Sequence, residues 1–524
     1  MGFISPSDFD TTPAHVCLAV VGSVFVALLS RIFYCQYVHP LAVFHGPWYA
    51  TSFSLVGAVI SVLQKEPQFF MYLARKYGTS LPIRISPTTL LFPSSSSLKH
   101  IYRSPHLNTK SALYGTGALG PPHLFTTLDG DEHRKLRKAL SNAPWTIGPL
   151  KKTWESRFDK LVMLFVEKMG QHADEGQVVC VSDKVAEFAA DIMSMVSFGK
   201  PFGCVKNGTD ERGVLKNWRK GLGFFGFVGR FRFFRDYVMK TSVLGAWFLP
   251  SMSNDSGMGW LMCEADRQVS IREKQNKEKA FEGMSDFLQY CLAARFSPSH
   301  PLTPTQKRAH VTLLIQAGAD TTGTALGSIL RFIFTSPPTL ARLRSEITTA
   351  DKAGYLSTPI QYDETRRHLP YFQACVKEGL RLHPPATNLF ARVVPKDGAM
   401  VDGVWVPGGM EITSYAYVVQ RDRHLYGDDA DKFRPERWLE GEKKSSEMDA
   451  SQFVFGMGAR VCLGKDIAVL ELCKLLPEMI RRFDVEVVQQ GRYVVVGGVA
   501  YNEGFLGRFV KRNVGVNMRS LAIV

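Results

Sequence analysis

The sequence predicts a mainly α-helical body with minor β structure, preceded by one membrane-spanning helix. Three features predict it. Residues 16–38 form an apolar run with the length of a bilayer crossing, about 20 residues. From about residue 129 to residue 379 nearly every segment repeats its apolar residues at helical spacing. Segments with strand character are short, at 81–93, 391–395, 403–414 and 485–496. No linker separates these parts, so they read as one large helical domain with a minor sheet near its N-terminal side.

The apolar run opens the argument because its flanks set its fate. A cleaved signal peptide carries a positive leading segment. Here Asp8 and Asp10 precede the run, and Arg31 stands near its far end. The expectation is a retained anchor: residues 1–15 luminal, 16–38 spanning, and the bulk cytosolic. Next comes "HPLAVFHGPW", 39–48, whose Pro40, Gly46 and Pro47 stop the helix and read as a stiff hinge. The body, 49–524, begins with a helix over 66–78 that ends on a glycine, followed by a short hairpin.

Composition excludes several classes. Hydrophobic residues make up 45% and charged residues 21%, which is globular rather than disordered. The 9 cysteines include no CxxC pair, which argues against a disulfide framework or zinc site and fits a reducing compartment. The net charge of +15 comes without a basic tail or an aromatic-interleaved basic stripe, so nucleic acid is not the expected partner. A basic surface suits an anionic membrane leaflet or an acidic partner protein.

The chemistry gathers at "FGMGARVCLG", 455–464. Gly456, Gly458 and Gly464 allow a backbone approach that side chains block. Helical period resumes after Cys462, so the cysteine is expected at a helix N-terminus, where the thiolate is favoured. A thiolate binds soft metals, and the fork of Arg460 meets carboxylates or phosphates. Read alone, Cys462 is more often a small buried hydrophobe.

The stretch resembles the heme-binding signature of the cytochrome P-450 superfamily, and other motifs of that family follow in order. "KEGLRLHPP" places Glu378 and Arg381 three apart on a helix, and "FRPERW" supplies Arg437. The resemblance implies a buried structural Glu–Arg–Arg network. "AGADTTGT", 317–324, resembles the oxygen-activation motif: Asp320 and Thr321 match its acid–alcohol pair, and Gly318 is expected to leave room beside a bound oxygen. "HRKLRK" resembles the WxxxR helix, with Arg137 as the arginine and His133 in place of the tryptophan. Arg392 is a further candidate for a heme propionate.

The resemblance, closest to microsomal fungal secondary-metabolism members, implies the triangular helical fold with small antiparallel sheets, and a catalytic domain over 49–524. It implies heme b with Cys462 as axial ligand, and Phe455, Gly456, Arg460, Arg137, His133 and Arg392 around the cofactor. Implied partners are an NADPH-cytochrome P-450 reductase, with cytochrome b5 as a second donor. The implied site of action is the cytosolic face of the endoplasmic reticulum membrane. One oxygen atom would enter a mainly apolar small molecule. By family position, 111–127, 224–234, 386–390 and 503–506 line its pocket, with Thr387 and Asn388 offering hydrogen bonds. The six phenylalanines of 224–234 line that pocket or dip into the membrane. Two alternatives stay open: a heme-dependent isomerase or dehydratase, and a non-enzymatic heme-binding protein.

Overall fold

A computed structural model describes residues 13–141, 145–278, 286–297 and 299–512. Residues 1–12 of the expected luminal segment and 513–524 of the body lie outside the described residues. Among the described residues one helix, His15–Val38, is long and apolar enough to cross a membrane. It runs as a regular helix over Pro13–Phe33 and widens to a π turn at Tyr34–Val38.

The last turns of this helix are fastened to the body. Arg31 Nε donates to Ser52 O at 2.9 Å, and Gln36 Nε2 donates to Thr51 Oγ1 at 2.7 Å. Cys35 is buried, and its carbonyl accepts from Arg84 Nη1 at 2.6 Å. The expected hinge is fastened too. Arg84 N donates to His45 O at 2.8 Å, and a Cβ on Gly46 would lie 2.0 Å from Arg84 O. Glycine at 46 therefore serves a close backbone approach rather than free swivelling.

The sheet beside this helix has four strands, in the order Ile83–Ser86, Thr89–Leu91, Glu411–Thr413, Arg392–Val393. It is mixed: Thr89–Leu91 runs parallel to Glu411–Thr413, while its other pairs are antiparallel. Two strand expectations divide. The 403–414 stretch becomes Val404–Val406 and Glu411–Thr413 in different sheets. Between them a Cβ on Gly408 would sit 2.0 Å from Lys396 O, and Gly409 adopts φ +75°. The 485–496 stretch divides at Gly491, φ +67°, into Phe483–Gln489 and Arg492–Val496. The helical run 129–379 is also interrupted: Val178–Cys180 is a strand that pairs antiparallel with Leu506–Lys511.

Helices occupy the rest. The central helix, Ala319–Phe334, crosses the core against Val181–Phe198, close enough that a Cβ on Gly323 would meet Ala186 Cα at 2.6 Å. On another side it packs against Pro370–Leu382, where a Cβ on Gly379 would meet Ile329 Cγ1 at 2.5 Å. Leu326, Ile329, Leu330 and Ile333 are fully buried, each contributing about 1.5–3 kcal/mol. The hairpin Arg492–Val496/Val499–Glu503 is tied on by Thr324 Oγ1, which donates to Ala500 O at 2.7 Å, and by Asn502 Nδ2, which donates to Thr324 O at 2.9 Å.

Candidate functional site

The 455–464 loop folds back on itself: Cys462 N donates to Phe455 O at 2.7 Å. Two of its glycines need their freedom. Gly456 and Gly458 have φ +70° and +67°, and a Cβ on Gly458 would lie 2.0 Å from Tyr102 O. Gly464 differs; its φ is −88°, and a Cβ there would meet nothing within 4 Å. The helix Lys465–Arg482 starts after Gly464, so Cys462 precedes the helix by more than the motif reading expects. The thiol also departs from expectation. Burial pushes its pKa up, against the Gly464 N–H and the charges of Arg137 and Lys465. Yet the Cys462 side chain is accessible. An accessible group surrounded by protein faces an internal space, and Phe455 stands half-buried at the start of the same loop.

A group of cations gathers beside this loop. Arg137, on the helix Gly130–Ala139, donates from Nη1 to Val461 O at 2.7 Å. The Arg460 fork is spent on carbonyls: Thr127 O at 2.9 Å, Asn108 O at 2.9 Å and Leu128 O at 3.0 Å. Arg460 thereby pins 108 and 127–129 to the cysteine loop. Arg392 is buried, 5.1 Å over the Tyr102 ring. Lys110 is buried too, its Nζ 4.0 Å over the Tyr114 ring and donating to Phe125 O. His133 is buried, and its Nδ1 has no hydrogen-bond partner among the described residues.

These groups share one electrostatic problem. Burial and then the charge of Arg392 push Arg460 down to about 10. Burial, Arg392 and Arg460 hold Lys110 well below its ordinary range. Burial, followed by Arg460, Lys110, Arg137 and Arg392, pushes His133 down to about 3. Among the described residues no carboxylate forms an ion pair with Lys110, Arg137, Arg392 or Arg460. Buried cations without anions are costly, and an arrangement of this kind is built for an anionic ligand.

The central helix meets a break here. The helix Pro304–Ala317 ends at Gly318, and Ala319–Phe334 begins. Ala317 is exposed and Thr321 half-buried, while Ala319, Asp320 and Thr322 are buried. Thr321 Oγ1 donates back to Ala317 O at 2.9 Å. Asp320 points elsewhere: Arg219 holds it through Nη2–Oδ1 at 2.7 Å and Nε–Oδ2 at 3.1 Å. Burial pushes the Asp320 carboxyl up, and Arg219 opposes that. The acid and the alcohol are thus neighbours in sequence on different sides of the helix. Gly318 also corrects an expectation. A Cβ there would strike Met193 Sδ at 2.1 Å, so its smallness serves packing against Val181–Phe198.

The Glu378 network is complete. Arg381 takes both Glu378 oxygens at 2.8 Å, Arg437 Nε reaches Oε1 at 3.0 Å, and Trp438 Nε1 reaches Oε2 at 2.9 Å. All three charged side chains are fully buried. Burial alone raises the Glu378 carboxyl, but Arg381 and Arg437 outweigh it and hold it below its ordinary value. Arg381 Nη1 also donates to Gln420 O and Ala430 O, at 2.6 and 2.7 Å, fixing the segment that leads to the cysteine loop.

A family model for Cytochrome P450 matches residues 47–494. This chain belongs to the cytochrome P450 family. It is 31% identical over 490 residues to the cytochrome P450 monooxygenase cicH of Emericella nidulans, covering 88% of this chain and 94% of that one. A pisatin demethylase of Fusarium vanettenii is 30% identical over 407 residues, 77% of this chain and 78% of the relative. A cytochrome P450 monooxygenase of Aspergillus terreus is 30% identical over 486 residues, 91% and 96%. The family makes this P450 an oxidoreductase of the monooxygenase type, with a heme-thiolate cofactor.

The residues fit heme. An accessible thiol stands beside a glycine with open space over its Cα, and Lys110 and Arg392, buried cations with no carboxylate partner among the described residues, lie beside that loop. Those are the complements of an iron, a flat macrocycle and two propionates. The sequence reading missed Lys110 and Arg219. Lys110 is a lone cation in the apolar "SALYG" neighbourhood, which is a faint signal; Arg219 lies 101 residues from Asp320 and has none. The expected substrate contacts shift as well. Thr387 Oγ1 accepts from Tyr417 N at 3.3 Å, and Asn388 Oδ1 accepts from Leu389 N at 2.8 Å and Arg230 Nη2 at 3.2 Å. Both side chains are engaged within the protein. The phenylalanines divide: Phe225 is buried 6.3 Å from Tyr114, while Phe233 is exposed.

Proposed function

We propose that this P450 is a membrane-anchored heme b monooxygenase that oxidises a mainly apolar small molecule of fungal secondary metabolism. Electrons come from NADPH through a reductase, with cytochrome b5 as a second donor, at the cytosolic face of the endoplasmic reticulum. The observation that carries the reading is the accessible Cys462 thiol beside a cluster of buried, unpaired cations. When bound, a thiolate-ligated heme activates molecular oxygen, one atom of which enters substrate while the other leaves as water.

The chain's own residues supply the rest. Cys462 Sγ would hold the iron as its thiolate, a form that a bound metal favours against the burial that otherwise raises the thiol. Lys110, Arg392 and Arg137 would meet the propionates and His133 would donate through Nδ1, while Arg460 ties 108 and 127–128 to the cysteine loop. Phe455 and Gly456 shape the thiol side. Thr321 offers its hydroxyl where the helix is accessible, ordering a proton donor near the reacting oxygen. Asp320 relays protons when Arg219 lets it go. Glu378, Arg381 and Arg437 hold the scaffold. The isomerase and carrier alternatives leave Thr321 and the Asp320–Arg219 pair without work.

The test is spectroscopic. The reduced, carbon monoxide-bound protein is expected to show the red-shifted band of a thiolate-ligated heme, and Cys462→Ala to lose it. A Cys462→Ala variant that keeps the band refutes the assignment.

A further inference from the structure

The apolar N-terminal helix docks on the body within its own span rather than beyond it. A bilayer core takes about 20 helical residues, about 30 Å, and this helix has 24, His15–Val38. Arg31 lies inside that span, and its Nε donates to Ser52 O at 2.9 Å. Gln36 Nε2 donates to Thr51 Oγ1 at 2.7 Å, and Arg84 Nη1 donates to the carbonyl of the buried Cys35 at 2.6 Å. A guanidinium is costly in hydrocarbon and settles where the interface begins. The bond to Arg31 therefore holds Ser52 at the level of that interface. From Ser52 the chain runs directly into the helix Leu55–Val62.

That helix is amphipathic in the wrong sense for water. Leu55, Val59, Val62 and the adjoining Leu63 are 44%, 45%, 58% and 61% exposed, and they recur at helical spacing along one face. The one polar side chain of the helix, Ser61, is buried instead. It lies against the helix Val214–Arg230, where a Cβ on Gly226 would meet Ser61 Oγ at 2.8 Å. A surface helix in water turns its polar residues outward; this one turns its polar residue in. Just before it Trp48 and Tyr49 are exposed. These are the residue types that gather where hydrocarbon meets headgroups. The height set by Arg31 and the apolar face of Leu55–Val62 are independent features, and both put this segment at the bilayer surface.

We propose that segment 48–63 is a second membrane-binding element, its apolar face seated in the phospholipid interface. The body then meets the bilayer through one fixed face instead of swinging on a tether. The proposal rests on the membrane-anchored reading and adds a lipid contact to it, made by the body itself.

Heme-loaded full-length protein is placed, one chain per disc, in phosphatidylcholine nanodiscs doped with a phospholipid whose diazirine sits at the glycerol end of its acyl chain. After illumination, crosslinked peptides are mapped by mass spectrometry. Crosslinks are expected in 15–38 and in 48–63. The double variant Val59→Asp/Val62→Asp, at two exposed positions, is expected to cut labelling of 48–63 about tenfold. Labelling of 15–38, heme content and Tm are expected to hold in that variant. Crosslinks in 15–38 without any in 48–63 overturn the proposal and leave the anchor standing. Labelling of 48–63 that survives both aspartates overturns it too, because the segment is then only carried close to lipid by the anchor. Shielding of 48–63 from hydroxyl radicals that appears only in vesicles holding many copies marks a contact between copies, and also overturns it. No crosslinks in either segment refute the anchor and the proposal together. None of these readouts depends on turnover, so the carbon monoxide test of Cys462 stands apart.

Discussion

Glu378, Arg381 and Arg437 are fully buried, and Lys110 and Arg392 nearly so, but among the described residues only the first set is neutralised by ion pairs. In the network every Glu378 oxygen has at least two donors. In the cluster, burial and then the charge of Arg392 lower both Lys110 and Arg460, and Arg460 lowers Lys110 further. The same burial therefore marks two purposes. A paired charge holds backbone segments in register; an unpaired one is held ready for a ligand that brings the opposite sign.

The contrast breaks most sharply at Glu378. Glu378→Ala leaves Arg381 and Arg437 buried without a carboxylate, and the expected loss is about 3–5 kcal/mol. That is a large share of a domain's stability. Soluble yield and thermal melting should show a protein that barely folds, with or without added heme. Wild-type melting in this variant would mean that the backbone carbonyls alone satisfy the two arginines.

At Lys110 the sign reverses with the cofactor. In heme-free protein, Lys110→Met removes an uncompensated charge and is expected to raise stability by about 1–3 kcal/mol. In heme titrations the same variant is expected to bind about tenfold more weakly, from the loss of one charge-assisted contact. Destabilisation in both states would place Lys110 with the network as a purely structural residue.

The smallest effect belongs to His133. Its folded pKa, about 3, lies below the ordinary 6.5, so between those values the unfolded chain binds the extra proton. Stability of the heme-free protein therefore rises with pH across that window, by at most about 1.4 kcal/mol per pH unit from this group, and levels off above 6.5. Melting curves at pH 5.5 and 7.5 should show the slope, and His133→Gln should flatten it.

Sequence legibility followed the range of the interactions. The Glu378–Arg381 pair is local, three residues apart on one helix, and the two side chains meet through both carboxylate oxygens. The loop around Cys462 was marked in sequence by closely spaced glycines, two of which adopt positive φ. Gly318 was misread because its reason lies in Met193, on another helix far away in sequence. The 403–414 strand was drawn too long because Gly408 answers to a distant carbonyl, Lys396 O. Arg219 and the role of Lys110 stayed hidden for the same reason. A charge pair formed only by tertiary packing leaves no periodicity and no spacing to read.

The strand Val178–Cys180 bears on how the molecule is made. Its partner, Leu506–Lys511, is among the last described segments of the chain. A ribosome adding about 5–20 residues per second needs on the order of 15–65 s to travel from one to the other. During that interval the early helices exist without the strand that closes them, and without the cysteine loop, which is also late. Cofactor capture is then a closing step of biosynthesis rather than a seed for it, and the nascent body must stay soluble over that time without its iron.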